Sequence, residues 1–373
     1  MYMKDGLSEL IMHSYIEQGY DVSGNYLFFY DETNNNIKFQ FKNGKIPNID
    51  DFVKKYRIAG IVLKENIENY NFDVFQKELN VKPELKINLV NSQKTDTFLN
   101  CLRGKVLEKV FDFFIEQGIL VHVFSFDNLY DVIIEIVDSL LSENITETYF
   151  FLAPVMKNSL YNFVIADIDK FMNILKKYKY PNIINSNIWD FCNDMYFWIE
   201  NYATTDDFGL ECCRQQFKAF RKKDNLLFLN DNKENVIIDG YASINFNTCA
   251  IFANSFHLFD DISEVQEELK KFSVNNYDFG SSVDNFTLQL SDVVVGLMDR
   301  FFNYIDSKDY IALEREFLSL EGRQKSNLLK FLELYNKSLN ENELFFGFYE
   351  PQDIVAVRND KILKLINKFV LES

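Results

Sequence analysis

Residues 26–30 form an uninterrupted apolar and aromatic run, and the acids Asp31 and Glu32 follow it directly. A run without polar alternation is typical of a strand that is covered on both faces, as in a sheet flanked by helices. Carboxylates at the end of such a strand must be paired, protonated or bound to a cation. Asp31 is therefore a candidate site residue. In the alternative interpretation, the two acids only begin a turn over residues 33–36.

Composition narrows the class of protein. With 373 residues, 47% hydrophobic and 16% aromatic, the chain can build one large domain or two smaller ones. The formal charge of −17 argues against a partner that is held by a broad basic face. No basic and apolar leader and no apolar run of about 20 residues is present, so we expect a cytoplasmic protein without a membrane partner.

Zinc chemistry is excluded by the cysteine and histidine pattern. The chain has five cysteines, none in a C-x-x-C pair, and three histidines. Reduced thiols in a cytosolic protein are the simpler explanation.

The first third of the chain predicts several strands and one long helix. Residues 37–41 alternate apolar and polar, which predicts a strand that forms a hairpin with the first. Residues 58–63 predict a third strand, in which Gly60 marks a close approach. Residues 98–117 predict an amphipathic helix that ends at Gly118, and residues 119–126 predict a strand that ends at Asp127. This β-β-β-α-β order is one that ribonuclease H-like folds use.

The rest of the chain is predicted to be mainly helical. Residues 130–220 predict helices, residues 226–229 and 236–238 extended segments, and residues 288–298 an apolar helix. Gln289 and Asp292 lie three residues apart, so both project from one face of that helix. In the alternative interpretation, Asp292 caps a helix that begins at Val293.

Several short motifs together resemble the domain-of-unknown-function 3800 family, which is predicted to have a ribonuclease H-like fold. The resemblance extends from residue 26 to residue 304. The motifs that carry it are Tyr30-Asp31-Glu32-Thr33-Asn34, Ala59-Gly60-Ile61, Glu84-Leu85-Lys86, Phe98-Leu99-Asn100-Cys101-Leu102, the strand with His122, Asn128-x-Tyr130 leading to Val137-Asp138-Ser139, Ser255-x-His257-x-Phe259-Asp260, and Leu288-Gln289-Leu290-Ser291-Asp292-Val293-x-Val295-Gly296.

The resemblance implies an α/β fold with a mixed sheet and flanking helices. Residues 1–304 would form the ribonuclease H-like domain, with a helical insertion at about 130–222, and residues 305–373 a helical extension. It also implies a nuclease or phosphodiester hydrolase and a role in bacterial defence against phage. One departure is Ser281-Ser282-Val283, where an Asp-Ser-Lys is expected.

The resemblance also implies an acidic site. The expected catalytic residues are Asp31, Glu32, Glu84, Lys86, Asp127 and Asp292, and the expected metal ligands are Asp31, Glu84, Asp127 and Asp292. Asp127 is included only because it follows a strand. We expect the carboxyl groups of Asp31 and Asp292 to converge on one face of the sheet.

Carboxylate oxygens suit Mg²⁺ or Mn²⁺, and a pair of such ions about 4 Å apart can hydrolyse a phosphodiester. Lys86 would either contact a phosphate oxygen or simply pair with Glu84. His257, near Asp260, would either assist proton transfer or be a hydrogen-bonded structural residue.

A possible nucleic-acid contact is a basic helical face with the residues Arg214, Lys218, Arg221 and Lys222. In the alternative interpretation, these basic residues only form a solvent-exposed helix face and bind no nucleic acid. The alternative function is a catalytically weak scaffold that binds a protein or RNA partner through its helical layers.

Overall fold

The structure is a computed structural model. It describes residues 7–35, 38–42, 45–81, 84–90, 95–142, 147–202, 206–220, 226–230, 232–233, 235–272 and 274–372, with the backbone alone for residues 147–150, 202 and 264.

The protein is an α/β structure built on a mixed sheet. Its strands are β1 (Leu27–Thr33), β2 (Lys38–Gln40), β3 (Tyr56–Leu63), β4 (Leu120–Phe126), β5 (Val236–Asp239), β6 (Phe256–Asp260), β7 (Tyr277–Gly280) and β8 (Phe346–Tyr349). Six of them form one sheet in the order β7-β6-β1-β3-β4-β8, while β2 and β5 form a separate pair. Strand β3 is antiparallel to both of its neighbours, and the other pairings in the large sheet are parallel.

Strand β1 lies in the interior of the large sheet, as the apolar run predicts. It pairs with β6 on one side and with β3 on the other. Phe28, Phe29 and Tyr30 are all buried. Gly60 of β3 permits a close approach here, because an added Cβ would lie 2.0 Å from the Phe29 carbonyl oxygen and 2.5 Å from Ser291 Oγ. The close approach predicted at Gly60 is therefore confirmed.

The predicted hairpin between β1 and residues 37–41 is wrong. Strand β2 pairs instead with β5, and β3 takes the place beside β1. The physical reason is burial, because all eight residues of β3 are buried and suit an interior position. Strand β2 has one exposed face and suits a small peripheral sheet.

Sixteen α-helices surround the sheets in the described part of the chain. They are α1 (Leu7–Glu17), α2 (Ile49–Phe52), α3 (Phe72–Leu79), α4 (Phe98–Cys101), α5 (Lys105–Gln117), α6 (Asn128–Leu141), α7 (Glu147–Ile165), α8 (Ile168–Lys177), α9 (Asn185–Tyr202), α10 (Phe208–Phe220), α11 (Ala242–Ile251), α12 (Ser263–Leu269), α13 (Phe286–Asp306), α14 (Tyr310–Leu318), α15 (Gly322–Glu341) and α16 (Gln352–Ile366). Leu227–Leu229 is a 3-10 turn rather than the predicted extended segment, and Asn367–Leu371 is a π-helical turn.

The predicted helix over residues 98–117 is two helices, α4 and α5. Gly104 separates them, and an added Cβ there would lie 1.9 Å from the Val90 carbonyl oxygen. The predicted end at Gly118 is confirmed, because this residue is left-handed with φ 67° and caps α5.

Helix α13 packs across β1 and β3, and α15 packs on β4 and α5. Helices α6 to α10 fill the chain between β4 and β5. Strand β8, which lies among the C-terminal helices, is the sixth strand of the large sheet, and α13 continues through residue 304. Among the described residues, no helix is both long and apolar enough to cross a membrane.

Candidate acidic active site

Asp31 lies on the face of the sheet that α13 covers. Side chains alternate along a strand, so Asp31 shares a face with Thr33, whose partner Arg57 bonds to Asp299 of α13. Burial raises the pKa of the Asp31 carboxyl to about 7, and the charges of Asp292 and Asp260 add to the effect. Asp31 is therefore more than a turn residue, because it interacts with acids from two distant elements.

Asp292 comes from the middle of the first half of α13 and faces the same cluster. The helix begins at Phe286 and is capped by Asn285, so the interpretation of Asp292 as an N-terminal cap is wrong. Burial raises the pKa of Asp292, while a hydrogen bond from the Ile87 N–H opposes the change. Asp31 and Asp292 therefore interact electrostatically on the face of the sheet that α13 covers.

Gln289 and Asp292 together hold the segment that contains Glu84 and Lys86. The Leu85 N–H donates to Gln289 Oε1 at 3.0 Å, and the Ile87 N–H donates to Asp292 Oδ2 at 2.6 Å. Gly296, one turn further along α13, leaves room for the Ile87 side chain, which an added Cβ would meet at 2.7 Å. The Gln-x-x-Asp spacing therefore acts as a clamp on an extended backbone.

Glu84 and Lys86 form the ion pair that the sequence offered as one alternative. The Lys86 Nζ lies 3.3 Å from Glu84 Oε2, a buried oxygen that no described group reaches with a well-aligned hydrogen bond. The pairing with Glu84 raises the pKa of Lys86, and the charges of Asp292 and Asp31 contribute. Lys86 therefore belongs electrostatically to the acidic cluster.

Asp260 is the carboxylate that the choice of site residues missed. It ends β6, whose Phe259 is in register with Tyr30, so Asp260 lies level with Asp31 on the neighbouring parallel strand. Its charge raises the pKa values of Asp31, Glu32 and Asp292. The signal was available, because Asp260 follows the mainly aromatic and apolar residues 256–259, as Asp31 follows residues 26–30.

The segment Ser281-Ser282-Val283 positions Asp260. The Ser282 N–H donates to Asp260 Oδ1 at 3.1 Å, and the Ser282 carbonyl accepts from Gln289 Nε2 at 2.8 Å. Ser281-Ser282-Val283 thus links two parts of the site through its backbone.

The expectation that Asp127 belongs to the cluster is not met. Asp127 follows β4, which is separated from β1 by β3. Its side chain caps α6 by accepting from the Tyr130 N–H at 3.0 Å, and it also accepts from the Tyr161 hydroxyl at 2.7 Å. Burial raises its pKa, and the nearest charges that affect it are Lys55 and Glu350. Asp127 is a buried helix cap.

Glu32 is close to the cluster but points to the other face of β1. It pairs with Ile58, on the side of the sheet where Tyr56 stacks on Tyr241. Burial raises the pKa of Glu32 well above its usual value, and the charges of Asp31 and Asp260 contribute.

His257 is a structural residue. Its ring is fully buried, with the Tyr30 hydroxyl 2.8 Å from Nδ1 and the Phe252 carbonyl 3.2 Å from Nε2. Burial lowers its pKa to about 4.

The basic face on α10 is engaged within the protein. Arg214 pairs with Glu211 and Glu200 and lies over the Tyr196 ring. Lys218 also lies over that ring, at 6.0 Å. Arg221 and Lys222 lie outside the described residues, so the predicted four-residue face is described only in part.

The donor set fits a hydrated divalent cation. No three of the described His, Cys, Asp and Glu side chains are placed to hold one ion jointly. Mg²⁺, however, usually keeps several waters and binds through one or two carboxylates plus substrate phosphates. Asp31 and Asp292 offer such oxygens, and a cation would stabilise the ionised form of Asp31, which burial and the charge of Asp292 disfavour.

The fold and the cluster define an α/β protein with a partly buried acidic site near the C-terminal ends of two parallel strands. Comparison with protein-family models, curated proteins and solved structures found no match for this chain.

Proposed function

We propose that the chain is a divalent-metal-dependent nuclease or phosphodiester hydrolase with a ribonuclease H-like fold, related to the domain-of-unknown-function 3800 family. The observation that carries the proposal is the electrostatic contact among Asp31, Asp260 and Asp292. These acids come from two adjacent parallel strands and from the helix that packs over one of them.

The order of the strands supports the fold assignment. Without β8, the strands of the large sheet are β1, β3, β4, β6 and β7 in chain order. In space they run third, second, first, fourth, fifth, and only the second is antiparallel to the rest. The resemblance implies a mixed sheet of this kind with flanking helices, and Asp292 lies on α13, the helix that follows the fifth of these strands.

The residues of the site would divide the chemistry among them. Asp31 and Asp292 would hold hydrated Mg²⁺ or Mn²⁺, which would supply an activated water and neutralise charge on the leaving oxygen, and Asp260 would add negative charge beside them. Lys86 would move from Glu84 to a non-bridging phosphate oxygen, since its side chain is 54% exposed. Once Lys86 has moved, Glu84 would accept a hydrogen bond from the attacking water through its buried Oε2 atom, which has no hydrogen-bond donor among the described residues.

The test is Mn²⁺-dependent cleavage of single- and double-stranded DNA and RNA. Asp31→Asn and Asp292→Asn should each abolish cleavage while circular dichroism stays unchanged, because each loses a charged ligand. Asp278→Asn, at an exposed residue of β7, is the matched control and should cleave like the wild type. A wild type that cuts none of these substrates would refute the proposal.

A role in bacterial anti-phage defence is part of the proposal and rests on the family resemblance alone. Phages should form fewer plaques on a host that expresses the wild type than on a host that expresses Asp31→Asn. Equal plaque numbers across a panel of phages would remove this role.

One observation favours the scaffold as a second candidate. Phe151 of α7 and Phe208 of α10 are 76% and 65% exposed. Gly209 brings the start of α10 against α7, because an added Cβ would lie 2.6 Å from the Val155 carbonyl oxygen. Exposed apolar side chains grouped in this way mark interaction surfaces. The two candidates differ in cation dependence, which the scaffold does not require.

A further inference from the structure

Strand β8 is the last strand at one edge of the large sheet. The Tyr349 carbonyl accepts a hydrogen bond from the Asp127 N–H at 3.1 Å, so the main chain of Tyr349 is directed toward β4. Successive residues of a strand direct their N–H and C=O groups to opposite sides. Gly347 therefore also faces β4, whereas Phe346 and Phe348 direct their main-chain groups away from the sheet.

These outward groups are largely unused. The Phe346 N–H donates to the Glu343 carbonyl, but no described residue hydrogen-bonds to the N–H or C=O of Phe348. An edge with free N–H and C=O groups is a template for pairing with another strand.

A groove of about 730 Å³ lies beside this edge. The β8 residues that line it are Phe346 and Phe348, the two with outward main-chain groups. Leu339 and Leu344 supply apolar surface, together with Leu363 of α16, which is 46% exposed. The groove can therefore accept side chains as well as a backbone.

The charged residues that line the groove in the described part of the chain are all acidic. Its acidic lining residues are Asp21, Glu341 and Glu343, and no lysine or arginine is among the described residues that line it. Lys64 pairs with Glu341 from outside the lining, which leaves Asp21 and Glu343 as exposed acids without a cationic partner in the groove. This charge favours a basic occupant.

We propose that the groove binds an extended segment of a partner protein that carries lysine or arginine and that adds to β8 as a seventh strand. Main-chain hydrogen bonds to Phe348 provide affinity, and alternate side chains of the segment enter the groove. A second copy of this chain is a poorer occupant, because it would bring the same acids together. This surface is separate from the acidic active site, so the inference does not depend on the proposed function.

The probe is a short fluorescent peptide of alternating lysine and valine, and its binding is measured by anisotropy. Glu343→Lys should weaken binding about tenfold, because it reverses a charge in the groove. Asp190→Lys makes the same charge change at an exposed position of α9 and should leave binding unchanged. A peptide with glutamate in place of lysine should not bind.

Main-chain pairing is tested separately. Two peptides are compared, each methylated on one of the two alternating sets of backbone nitrogens. Only the set whose N–H groups would pair with β8 should weaken binding when methylated, by about tenfold. In hydrogen exchange, the Phe348 amide should be unprotected in the free protein and protected in the complex. Phe348 protection that is the same in both states, or equal affinity for Glu343→Lys and Asp190→Lys, would overturn the proposal.

Discussion

At the scale of single residues, the site depends on carboxyl groups that the protein holds in an unfavourable environment. Burial and a neighbouring acid raise the pKa of Asp31 to about 7, and burial also raises the pKa of Asp292. Isolated buried carboxylates are destabilising, so they are kept where a ligand makes use of them. Because these carboxyl groups lower the stability of the folded protein when ionised, unfolding measurements can detect the site in the absence of metal.

The first signature is pH dependence. The folded pKa of Asp31 lies above the unfolded value near 4, so the folded state holds a proton that the unfolded state releases. The stability from this group is complete below about pH 4 and is lost as the pH rises to about 7. Asp31→Asn should therefore be more stable than the wild type at pH 8, by on the order of 4 kcal/mol, and similar to it at pH 4.

Urea unfolding of both proteins at the two pH values, without divalent cations, measures this difference. A wild type that gains stability relative to Asp31→Asn as the pH rises would show that Asp31 is paired with a cation of the protein instead.

At the scale of elements, the position of α13 decides whether the acids meet. The helix reaches β1 because Gly60 has no side chain, and Ser291 Oγ donates to the Phe29 carbonyl at 3.0 Å. Gln289 and Asp292 then hold the 84–87 segment. A substitution in the sheet that displaces α13 should therefore also displace Asp292 and the 84–87 segment.

Gly60→Ala is the corresponding prediction. Its Cβ would overlap the Phe29 carbonyl oxygen, so it should destabilise the protein by about 1–3 kcal/mol as backbone and helix shift. Metal-dependent stabilisation should fall as well, because Asp292 moves with α13. Gly118→Ala is the control, since an added Cβ there meets nothing within 4 Å and its effect is limited to backbone strain at φ 67°. Thermal unfolding with and without Mn²⁺ separates the two variants.

Local sequence patterns predicted individual helices and strands better than they predicted which elements lie next to one another in the fold. The buried strand β1, the cap at Gly118 and the Gln-x-x-Asp face all follow from local patterns. Local patterns do not indicate that β2 pairs with β5. They also do not indicate that Asp260, rather than Asp127, lies beside Asp31. Both acids follow a strand, and only the strand order shows that β6 lies beside β1 whereas β4 does not. Strand order depends on contacts that are distant in the chain, which a local pattern does not encode.

At the scale of the whole molecule, the formal charge of −17 sets the background for any cation effect. Counterions can stabilise so acidic a chain without a specific site. A folded-state site adds stability of RT ln(1 + [M]/Kd), about 1.4 kcal/mol at ten times Kd. The two effects differ in whether they depend on one carboxylate.

Mn²⁺ should therefore raise the unfolding temperature of the wild type by a few degrees more than that of Asp31→Asn. Ionic strength is kept equal, so that diffuse screening contributes equally to both. Equal shifts would show that the cluster binds no metal and would favour the scaffold.

The hydrogen bond between Ser291 and the Phe29 carbonyl joins residues 262 positions apart. During translation, β1 leaves the ribosome early, but its parallel neighbour β6 and the helix that carries Asp292 follow much later. Chains emerge at about 5–20 residues per second, so the growing polypeptide exists for many seconds with only one of its three acids in place. The cluster of Asp31, Asp260 and Asp292 therefore cannot assemble until α13 has been synthesised.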